Sequence, residues 1–333
     1  MNDSVPLLFA FESCRPWAER IAAHLQLPLA PHEERRFEDG EHKTRPLQNV
    51  RARHVYLLQD LHGNGRESVN DRLCRLLFFV GALKDASAAS VTVIVPYLAY
   101  ARKDRRTQPR DPVTTRYVAA LFEAVGTDRI LTLDVHNLAA YQNAFRCRAE
   151  HLEATPIFAA YFARRLQGRE MTVVSPDAGG VHRAHRFLQA LQQATGRPVA
   201  FAFAQKHRSQ GVLSGDLVVG DVQGRTVVLF DDLIATGTTL VRTAQACLRL
   251  GAQEVHAAAT HGLFALDAAE RLGDGALATL AVSDSVSPHL PPGPALQKLS
   301  VLPTDLLFSE AIRRMHAGGS LSALCEPGIR MQA

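Results

Sequence analysis

The chain carries, at residues 226–239, the stretch Thr226-Val-Val-Leu-Phe-Asp-Asp-Leu-Ile-Ala-Thr-Gly-Thr-Thr239. Its apolar first half predicts a buried strand, and the small residues that follow predict a turn that opens a helix. Asp231 and Asp232, called the acid pair below, stand at the carboxyl end of this strand, where parallel sheets bind their ligands. The pair suits either sugar hydroxyls or the ligand shell of a magnesium ion. A helix-capping turn without a ligand is the alternative.

The segment after the acid pair has the composition of a phosphate-binding turn. Backbone N–H groups and the N-terminus of the following helix attract anions. The hydroxyls of Thr236, Thr238 and Thr239 add hydrogen-bond donors, and Gly237 lets the backbone approach a ligand closely. Residues 235–239, which begin with Ala235 and are called the phosphate turn below, are therefore expected to bind phosphate.

Short apolar runs alternate with longer segments of helical spacing along the chain. This rhythm predicts an α/β fold in which parallel sheets are flanked by helices. A length of 333 residues favours two domains of about 150 residues each. We place the junction near residues 150–156 and expect domains at 1–152 and 153–333. The predicted strand and helix pairs are 55–59 with 69–86, 91–97 with 114–125, 172–175 with 181–195, and 226–230 with 240–250, while a loop follows the strand 130–135.

Three segments interrupt this rhythm. Residues 107–112 and 209–216 are polar and rich in Gly, Pro or Ser, which predicts mobile loops that can close over a ligand. Residues 285–294 contain four prolines and predict an irregular connection. The amphipathic segment 305–316 is expected to form a last helix that packs back on one of the domains.

Composition excludes several classes of protein. The chain is 47% hydrophobic and 21% charged with a net charge of +4, which is typical of a globular protein and does not indicate a nucleic-acid partner. Its five cysteines include no Cys-x-x-Cys pair, so we expect neither a disulfide framework nor a structural zinc site. No apolar run reaches the roughly 18 residues that span a bilayer. We expect a cytoplasmic protein without a membrane partner.

Basic residues cluster directly after the predicted strand 91–97. Arg102 and Arg105 offer planar guanidinium groups suited to a triphosphate, and Lys103 adds a point charge. A solvated charged turn is the alternative. His136, beside Asp134, is a candidate ligand or hydrogen-bond donor for a metal–nucleotide unit, although such a histidine can also be structural.

A second candidate metal ligand follows the predicted strand 172–175. The Asp177 carboxylate can join a Mg²⁺ shell, and Gly179 and Gly180 let the backbone approach a sugar phosphate or pyrophosphate. A plain strand-to-helix turn is the alternative.

Further motifs resemble one enzyme family over nearly the whole chain. The phosphate turn resembles the phosphoribosyl pyrophosphate loop of the type I phosphoribosyltransferase fold. The phosphate turn and the motifs given below are together similar to those of the ribose-phosphate pyrophosphokinase family. The resemblance implies two phosphoribosyltransferase-type (type I) domains, each a parallel sheet flanked by helices, and transfer of pyrophosphate from ATP to ribose 5-phosphate. The motifs, in family order, are Phe37-Glu-Asp-Gly-Glu41, Val95-Pro-Tyr-Leu-Ala-Tyr-Ala-Arg-Lys-Asp-Arg-Arg106, Asp134-Val-His136, Ser175-Pro-Asp-Ala-Gly-Gly-Val181 and Ala259-Thr-His-Gly-Leu-Phe264.

The resemblance also implies roles for individual residues. Lys206 and Arg208 stand where the family carries a catalytic lysine and arginine, whose charge stabilises the transferred group. Adenine would be held by Phe37, Asp39 and Glu41, often from a neighbouring subunit, so a homo-oligomer, either a dimer or a hexamer, is implied. The remaining implied contacts are Arg102, Lys103, Arg105 and His136 for ATP, Asp177, Gly179, Gly180, the acid pair and the phosphate turn for ribose 5-phosphate, and His136 with Asp177 for Mg²⁺.

The sequence departs from the family at the phosphate turn. It reads Ala235-Thr-Gly-Thr238 where many members have an aspartate followed by Thr-Gly-Gly. Lys103 stands where a glutamine is frequent. Two rival functions remain: a non-catalytic relative that regulates an active enzyme, and a phosphoribosyltransferase that consumes the pyrophosphate sugar.

Overall fold

A computed structural model describes residues 5–209, 212–265 and 267–325. The strands are β1 Leu7–Ala10, β2 His32–Arg36, β3 His42–Pro46, β4 His54–Leu58, β5 Ser90–Ile94, β6 Arg129–Leu133, β7 Arg148–Leu152, β8 Met171–Ser175, β9 Ala200–Ser209, β10 Val212–Gly220, β11 Thr226–Ile234, β12 Glu254–Gly262, β13 Thr279–Ser283 and β14 Leu299–Leu302. The α-helices are α1 Arg15–Leu25, α2 Val69–Asp85, α3 Thr114–Ala124, α4 Leu138–Ala144, α5 Thr155–Arg165, α6 Val181–Thr195, α7 Thr238–Arg249, α8 Ala268–Leu272, α9 Pro294–Lys298 and α10 Asp305–Ala317.

The chain forms two compact units. The first runs up to Leu152 and also takes in Asp305–Leu324, which includes α10. The second contains Glu153–Thr304. The two units therefore divide the chain at the end of β7, and the last helix belongs to the unit that contains β1.

The first unit is built on a parallel sheet of five strands in the order β1-β4-β5-β6-β7. The strands β1, β4, β5 and β6 are almost entirely buried, which explains why they read as apolar runs, whereas the edge strand β7 is mostly half-buried or exposed. The helix α2 begins at a capping box in which Ser68 and Asp71 satisfy each other's backbone N–H groups. A separate antiparallel hairpin, β2 with β3, packs against α2.

The second unit is built on a sheet of seven strands in the order β10-β9-β8-β11-β12-β13-β14. All neighbours are parallel except β9 and β10, which are antiparallel. The predicted α/β fold is therefore confirmed, and the second sheet adds one antiparallel edge strand to the parallel arrangement that the sequence indicates. The central position of β11 places the acid pair and the phosphate turn in the middle of the sheet's carboxyl edge.

The antiparallel hairpin of β9 and β10, called the edge hairpin below, occupies most of the segment predicted to be a mobile loop at 209–216. β9 extends to Ser209 and β10 begins at Val212, while residues 210 and 211 lie outside the described part of the chain. The pairing register shifts between Leu213 and Asp216. The loop prediction is wrong for residues 212–216 because Ser and Gly inside a strand also mark a bulge.

Two other elements differ from the sequence-based expectation. The short helix α4 follows β6 where a loop is predicted, and β11 continues four residues further than the predicted end at 230. The acid pair therefore lies inside β11 rather than directly after it. The remaining predicted pairs of strand and helix are confirmed to within a few residues. In the described ranges, no helix is both long and apolar enough to cross a membrane.

The contacts between α10 and α1 include an aromatic pair and a buried carboxylate. The rings of Trp17 and Phe308 meet edge to face with their centroids 5.0 Å apart. Asp305 accepts a hydrogen bond from Arg20 Nε at 3.3 Å and lies 2.8 Å from His24 Nε2. These contacts hold the end of the described chain against the first unit.

We expect Phe308→Ala to release α10 from the first unit. Phe308 is fully buried, and truncating such a ring costs about 3–5 kcal/mol. Hydrogen exchange of amides in α1 and α10 should accelerate, while amides of β8 and β11 in the second unit keep their protection. The control is Tyr117→Ala on α3, whose side chain is exposed. Equal acceleration in both units would contradict the assignment of α10 to the first.

Candidate active site

The phosphate turn joins β11 to α7 through a close-packed glycine. Gly237 has φ +74°, a conformation that favours glycine, and it precedes the first residue of α7. A Cβ atom at this position would lie 2.7 Å from Cδ2 of Leu272. Glycine is therefore required both by the backbone conformation and by the close approach of α8.

Hydrogen bonds brace the turn from the segment that follows β12. The amide of Ala265 donates to the carbonyl of Ala235 at 2.9 Å, and the amide of Phe264 donates to the carbonyl of Ile234 at 3.1 Å. On the other side of the turn, the hydroxyl oxygens of Thr236 and Thr238 are 3.1 Å apart. The turn thus presents two adjacent hydroxyls and the N-terminus of α7 on a fixed backbone, an arrangement that suits an anion.

The acid pair shares one cation. Nη1 of Arg183 lies 2.9 Å from Asp231 Oδ1 and 3.3 Å from Asp232 Oδ1. The three side chains are largely buried, with exposed fractions of 15% for Arg183, 18% for Asp231 and 5% for Asp232. Arg183 lies in the first turn of α6, so this helix is tied to the end of β11.

Burial controls the ionisation of the acid pair. Desolvation, reinforced by the neighbouring charge of Asp232, raises the pKa of Asp231 well above the ordinary range of an aspartate. The Arg183 guanidinium opposes this rise. Arg183 therefore limits the rise in the pKa of Asp231 but does not cancel it.

The turn that carries Asp177 leads into the start of α6, close to Arg183. The carboxylate of Asp177 accepts a hydrogen bond from the amide of Gly180 at 2.9 Å, at the start of α6. A Cβ atom on Gly180 would lie 2.9 Å from Ser175 Oγ and 3.7 Å from Arg183 Nη1. Gly180, whose amide holds the Asp177 carboxylate, and the acid pair therefore both lie beside Arg183, a residue that the sequence motifs did not single out.

In the first unit, the basic cluster after β5 is organised by Asp111. Its carboxylate pairs with Lys103 Nζ at 2.6 Å and accepts hydrogen bonds from Thr107 and Gln108. The hydrogen bond from Lys103 is the main reason why the pKa of Asp111 lies far below its usual range. Lys103 is thus engaged within its own loop, whereas Arg102 and Arg105 are exposed.

A second contact connects this cluster with the segment that carries His136. Nδ2 of Asn137 donates to Asp104 at 2.7 Å, and Oδ1 of Asn137 caps α4 by accepting from the Ala140 amide. His136 is exposed, and Asp134 is buried with φ +40°. Asp104 and Asn137 therefore hold two predicted nucleotide-binding segments side by side, a role that the sequence did not indicate.

The predicted adenine-binding residues lie at the tip of the β2–β3 hairpin. The guanidinium carbon of Arg35 lies 4.8 Å from the centre of the half-buried Phe37 ring. Asp39 accepts a hydrogen bond from the Glu41 amide at 3.0 Å, and both acids are exposed. These contacts fix the turn on its own hairpin and leave the carboxylates toward solvent.

The predicted catalytic residues stand on the edge hairpin of the second unit. The backbones of Lys206 and Arg208 belong to β9 and pair with β10. Their side chains lie outside the described residues. In the described part of the chain, no three His, Cys, Asp or Glu side chains are grouped so that they could hold a metal ion.

Comparison with known families matches most of the chain. Residues 7–126 match the N-terminal domain of ribose phosphate pyrophosphokinase. Residues 210–326 match the phosphoribosyl synthetase-associated domain.

Curated proteins and a solved structure give the same relationship. The chain is 36% identical to ribose-phosphate pyrophosphokinase 1 of Streptococcus pneumoniae over 95% of this chain and 96% of that protein. It is 37% identical to ribose-phosphate pyrophosphokinase of Caldanaerobacter subterraneus subsp. tengcongensis, again over 95% and 96%. The crystal structure of phosphoribosylpyrophosphate synthetase from Mycobacterium smegmatis superposes with a TM-score of 0.85 at 31% identity, covering 95% of this chain and all of that one.

We expect Asp231→Asn to stabilise the second unit more at high pH than at low pH. Because the folded-state pKa of Asp231 is raised, stability is complete at low pH and is lost as the pH rises through that pKa. An amide does not ionise, so the variant avoids this loss. Thermal unfolding between about pH 4 and pH 8 should show a Tm advantage that grows with pH. The exposed-acid control, Glu170→Gln, should show no trend, and a pH-independent advantage would contradict the assignment.

We also expect Arg183→Met to lower the free energy of unfolding of the second unit by about 3 kcal/mol, because two buried carboxylates lose the cation they share. Adding Asp231→Asn should recover part of this loss. Native-state hydrogen exchange at β8 and β11 measures both effects. Arg225→Met is the control, since Arg225 pairs with exposed carboxylates and should cost about 1 kcal/mol or less. Strictly additive effects in the double variant would refute the coupling.

Proposed function

This chain belongs to the ribose-phosphate pyrophosphokinase family, and we propose that it transfers the terminal pyrophosphate of ATP to O1 of ribose 5-phosphate. The products are AMP and 5-phospho-α-D-ribose 1-diphosphate. The observation that carries the proposal is the end of β11, where a buried acid pair held by Arg183 is followed directly by the phosphate turn. Acids suited to sugar hydroxyls and donors suited to a phosphate therefore stand a few residues apart.

Ribose 5-phosphate would be bound by the second unit. The acid pair can accept hydrogen bonds from the ribose hydroxyls, and the phosphate turn can donate to the 5-phosphate. Gly179 and Gly180 can present bare backbone to the reacting end of the sugar or to the diphosphate, and a Cβ atom on Gly180 would collide with Ser175 Oγ. The alanine at position 235 supplies only its backbone, so the sugar contact at this point is to an amide or carbonyl.

ATP would be bound by residues of the first unit. The Phe37 ring can stack on adenine, while Asp39 and Glu41 can accept from its amino group or from ribose. Arg102 and Arg105 can bind the phosphate oxygens through two parallel hydrogen bonds each. Lys103 would have to exchange its ion pair with Asp111 for the phosphate, so binding ATP would loosen the loop at 107–112.

Magnesium fits part of the predicted donor set. Mg²⁺ prefers oxygen ligands and usually binds one or two carboxylates together with substrate phosphates. Asp177 offers one carboxylate, held on the amide of Gly180 at the start of α6, which meets that preference. His136 offers a nitrogen and would more readily act as a hydrogen-bond donor to the ATP phosphates. When bound, the ion neutralises phosphate charge during the transfer.

The reaction needs positioning and charge stabilisation rather than a covalent intermediate. O1 of the sugar attacks the β-phosphorus, the bond from that phosphorus to the oxygen of the α-phosphate breaks, and AMP leaves while the O1 proton is lost. Negative charge gathers on the transferred group. Lys206 and Arg208 would stabilise it, which is the catalytic role proposed for them.

We further propose a cytoplasmic homo-oligomer, a dimer or a hexamer, in which a neighbouring subunit completes the adenine site. The exposed position of Asp39 and Glu41 at the hairpin tip supports a partner there. Exposed apolar side chains on the first unit, among them Phe78, Tyr117 and Leu121, provide surface for association. All five cysteines are free, in keeping with a reducing compartment.

The proposal is tested by measuring AMP formation from ATP and Mg²⁺ with and without ribose 5-phosphate, with ³¹P spectroscopy of the sugar product. We expect AMP only when the sugar phosphate is present, together with a diphosphate signal at C1. Lys206→Ala should lower kcat by at least about a hundredfold, because a cation at the transferred group is lost. Lys84→Ala is the matched control, since Lys84 pairs with Asp128 near the amino ends of β5 and β6.

Other outcomes would favour the rival functions. Nucleotide binding without turnover in the wild-type protein would indicate a regulatory relative. Release of pyrophosphate that requires a nucleobase and the pyrophosphate sugar would indicate a phosphoribosyltransferase. Normal turnover in Lys206→Ala would refute the catalytic role of that residue while leaving the reaction in place.

A further inference from the structure

We propose that Arg271 binds the 5-phosphate of ribose 5-phosphate and makes sugar binding depend on that phosphate; this inference rests on the proposed function. Arg271 lies on α8, outside the strand–turn–helix stretch that the sequence singled out. Its guanidinium reaches the phosphate turn, where Nη1 donates to Thr238 Oγ1 at 3.2 Å. The turn therefore contains a fixed positive charge that no motif predicted.

Two partners hold this guanidinium in place. Thr238 accepts from Nη1, and Asp267 pairs with Nη2 at 2.5 Å. Among the residues that the structure describes, these contacts engage two of the five N–H donors of the arginine. The remaining donors can form the paired hydrogen bonds with which arginine binds phosphate. Asp267 therefore orients the charge, and the side chain remains 40% exposed and within reach of a ligand.

The short helix that carries Arg271 is anchored on both sides of it. Leu272 is buried and packs against Gly237, the residue whose conformation shapes the phosphate turn. Beyond the helix, Lys298 Nζ donates to the carbonyl of Gly273 at 3.1 Å and to that of Asp274. The backbone at Arg271 therefore keeps a fixed position relative to the turn, which gives its guanidinium a defined place.

Thr238 connects Arg271 with the other donors of the turn. Because its oxygen accepts from Arg271, its hydroxyl proton points elsewhere, toward Thr236 Oγ1 at 3.1 Å or toward a ligand. The two hydroxyls and the guanidinium thus form one chain of donors beside the N-terminus of α7. A glycine at position 238 would remove the acceptor that steers Arg271, so the threonine found here gives this chain its own means of directing the charge.

The test compares Arg271→Met and Arg271→Lys with the control Arg249→Met, an exposed arginine at the other end of α7. For Arg271→Met we expect the KM for ribose 5-phosphate to rise between about tenfold and a hundredfold, the loss typical of a charge-assisted hydrogen bond. The KM for ATP should change by less than about twofold. Arg271→Lys should restore part of the affinity, because a charge remains but the planar fork is lost.

Calorimetry with ribose 5-phosphate, D-ribose and inorganic phosphate identifies the group that Arg271 contacts. Arg271→Met should weaken binding of the two phosphates and leave D-ribose unchanged. Thr238→Val, which removes the hydroxyl at nearly constant shape, should weaken the phosphates less, and the loss in the double variant should be smaller than the sum of the two single losses. Thr238→Ser should behave as wild type.

The outcomes separate this inference from the proposed function. If the wild type makes AMP in a sugar-dependent way and Arg271→Met leaves the KM unchanged, the role of Arg271 is refuted and the function stands. If the wild type makes no AMP but binds ribose 5-phosphate or phosphate only with Arg271 present, the function fails and the phosphate contact stands. If neither phosphate binds the wild type, or both bind Arg271→Met equally well, the inference is overturned.

Discussion

The contact between Arg183 and the acid pair is the constraint on which the second unit's site depends. Two neighbouring carboxylates buried at the centre of a sheet repel each other and lose hydration, and the Arg183 guanidinium, which lies within 3.3 Å of both, offsets part of that cost. The contact between Arg183 and the acid pair fixes where α6 starts, because Arg183 lies in the first turn of that helix. The start of α6 in turn fixes the close approach of Gly180 to Ser175 and the position of the Asp177 carboxylate on the Gly180 amide.

In the first unit, the proposed ATP-binding segments are held in place by polar contacts near the surface. Its loop after β5 carries five basic residues and folds around the carboxylate of Asp111, which pairs with Lys103 and accepts from two neighbouring backbone amides. Asp104 then joins this loop to Asn137. The segments proposed to bind ATP are therefore ordered by exposed ion pairs and hydrogen bonds, which are weaker than the buried contacts around the acid pair.

Local signals in the sequence predicted most of the fold. The alternation of apolar strands with amphipathic helices is visible within windows of about ten to twenty residues, and so is the combination of acids, small residues and threonines after β11. The sequence did not predict the edge hairpin, because Ser and Gly at a bulge resemble a loop. It did not predict the β2–β3 hairpin, because the strands of that hairpin are polar and half exposed. The sequence did not indicate a role for Arg183 or Arg271, for another reason. Each lies on a helix where a charged residue is ordinary, and only the tertiary packing brings it to the end of β11.

The position of α10 has a consequence for the way the protein is made. The first unit takes in the chain up to Leu152 together with Asp305–Leu324, so all the strands and helices of the second unit are synthesised between these two parts. A ribosome that has released β1 to β7 has not yet released the helix that covers Trp17. During the translation of about 150 further residues, at roughly 5–20 residues per second, that aromatic surface stays uncovered. All the strands and helices of the second unit are contiguous in the chain, so none of them is synthesised after a long interruption. The second unit can therefore finish folding on the ribosome before the first unit does.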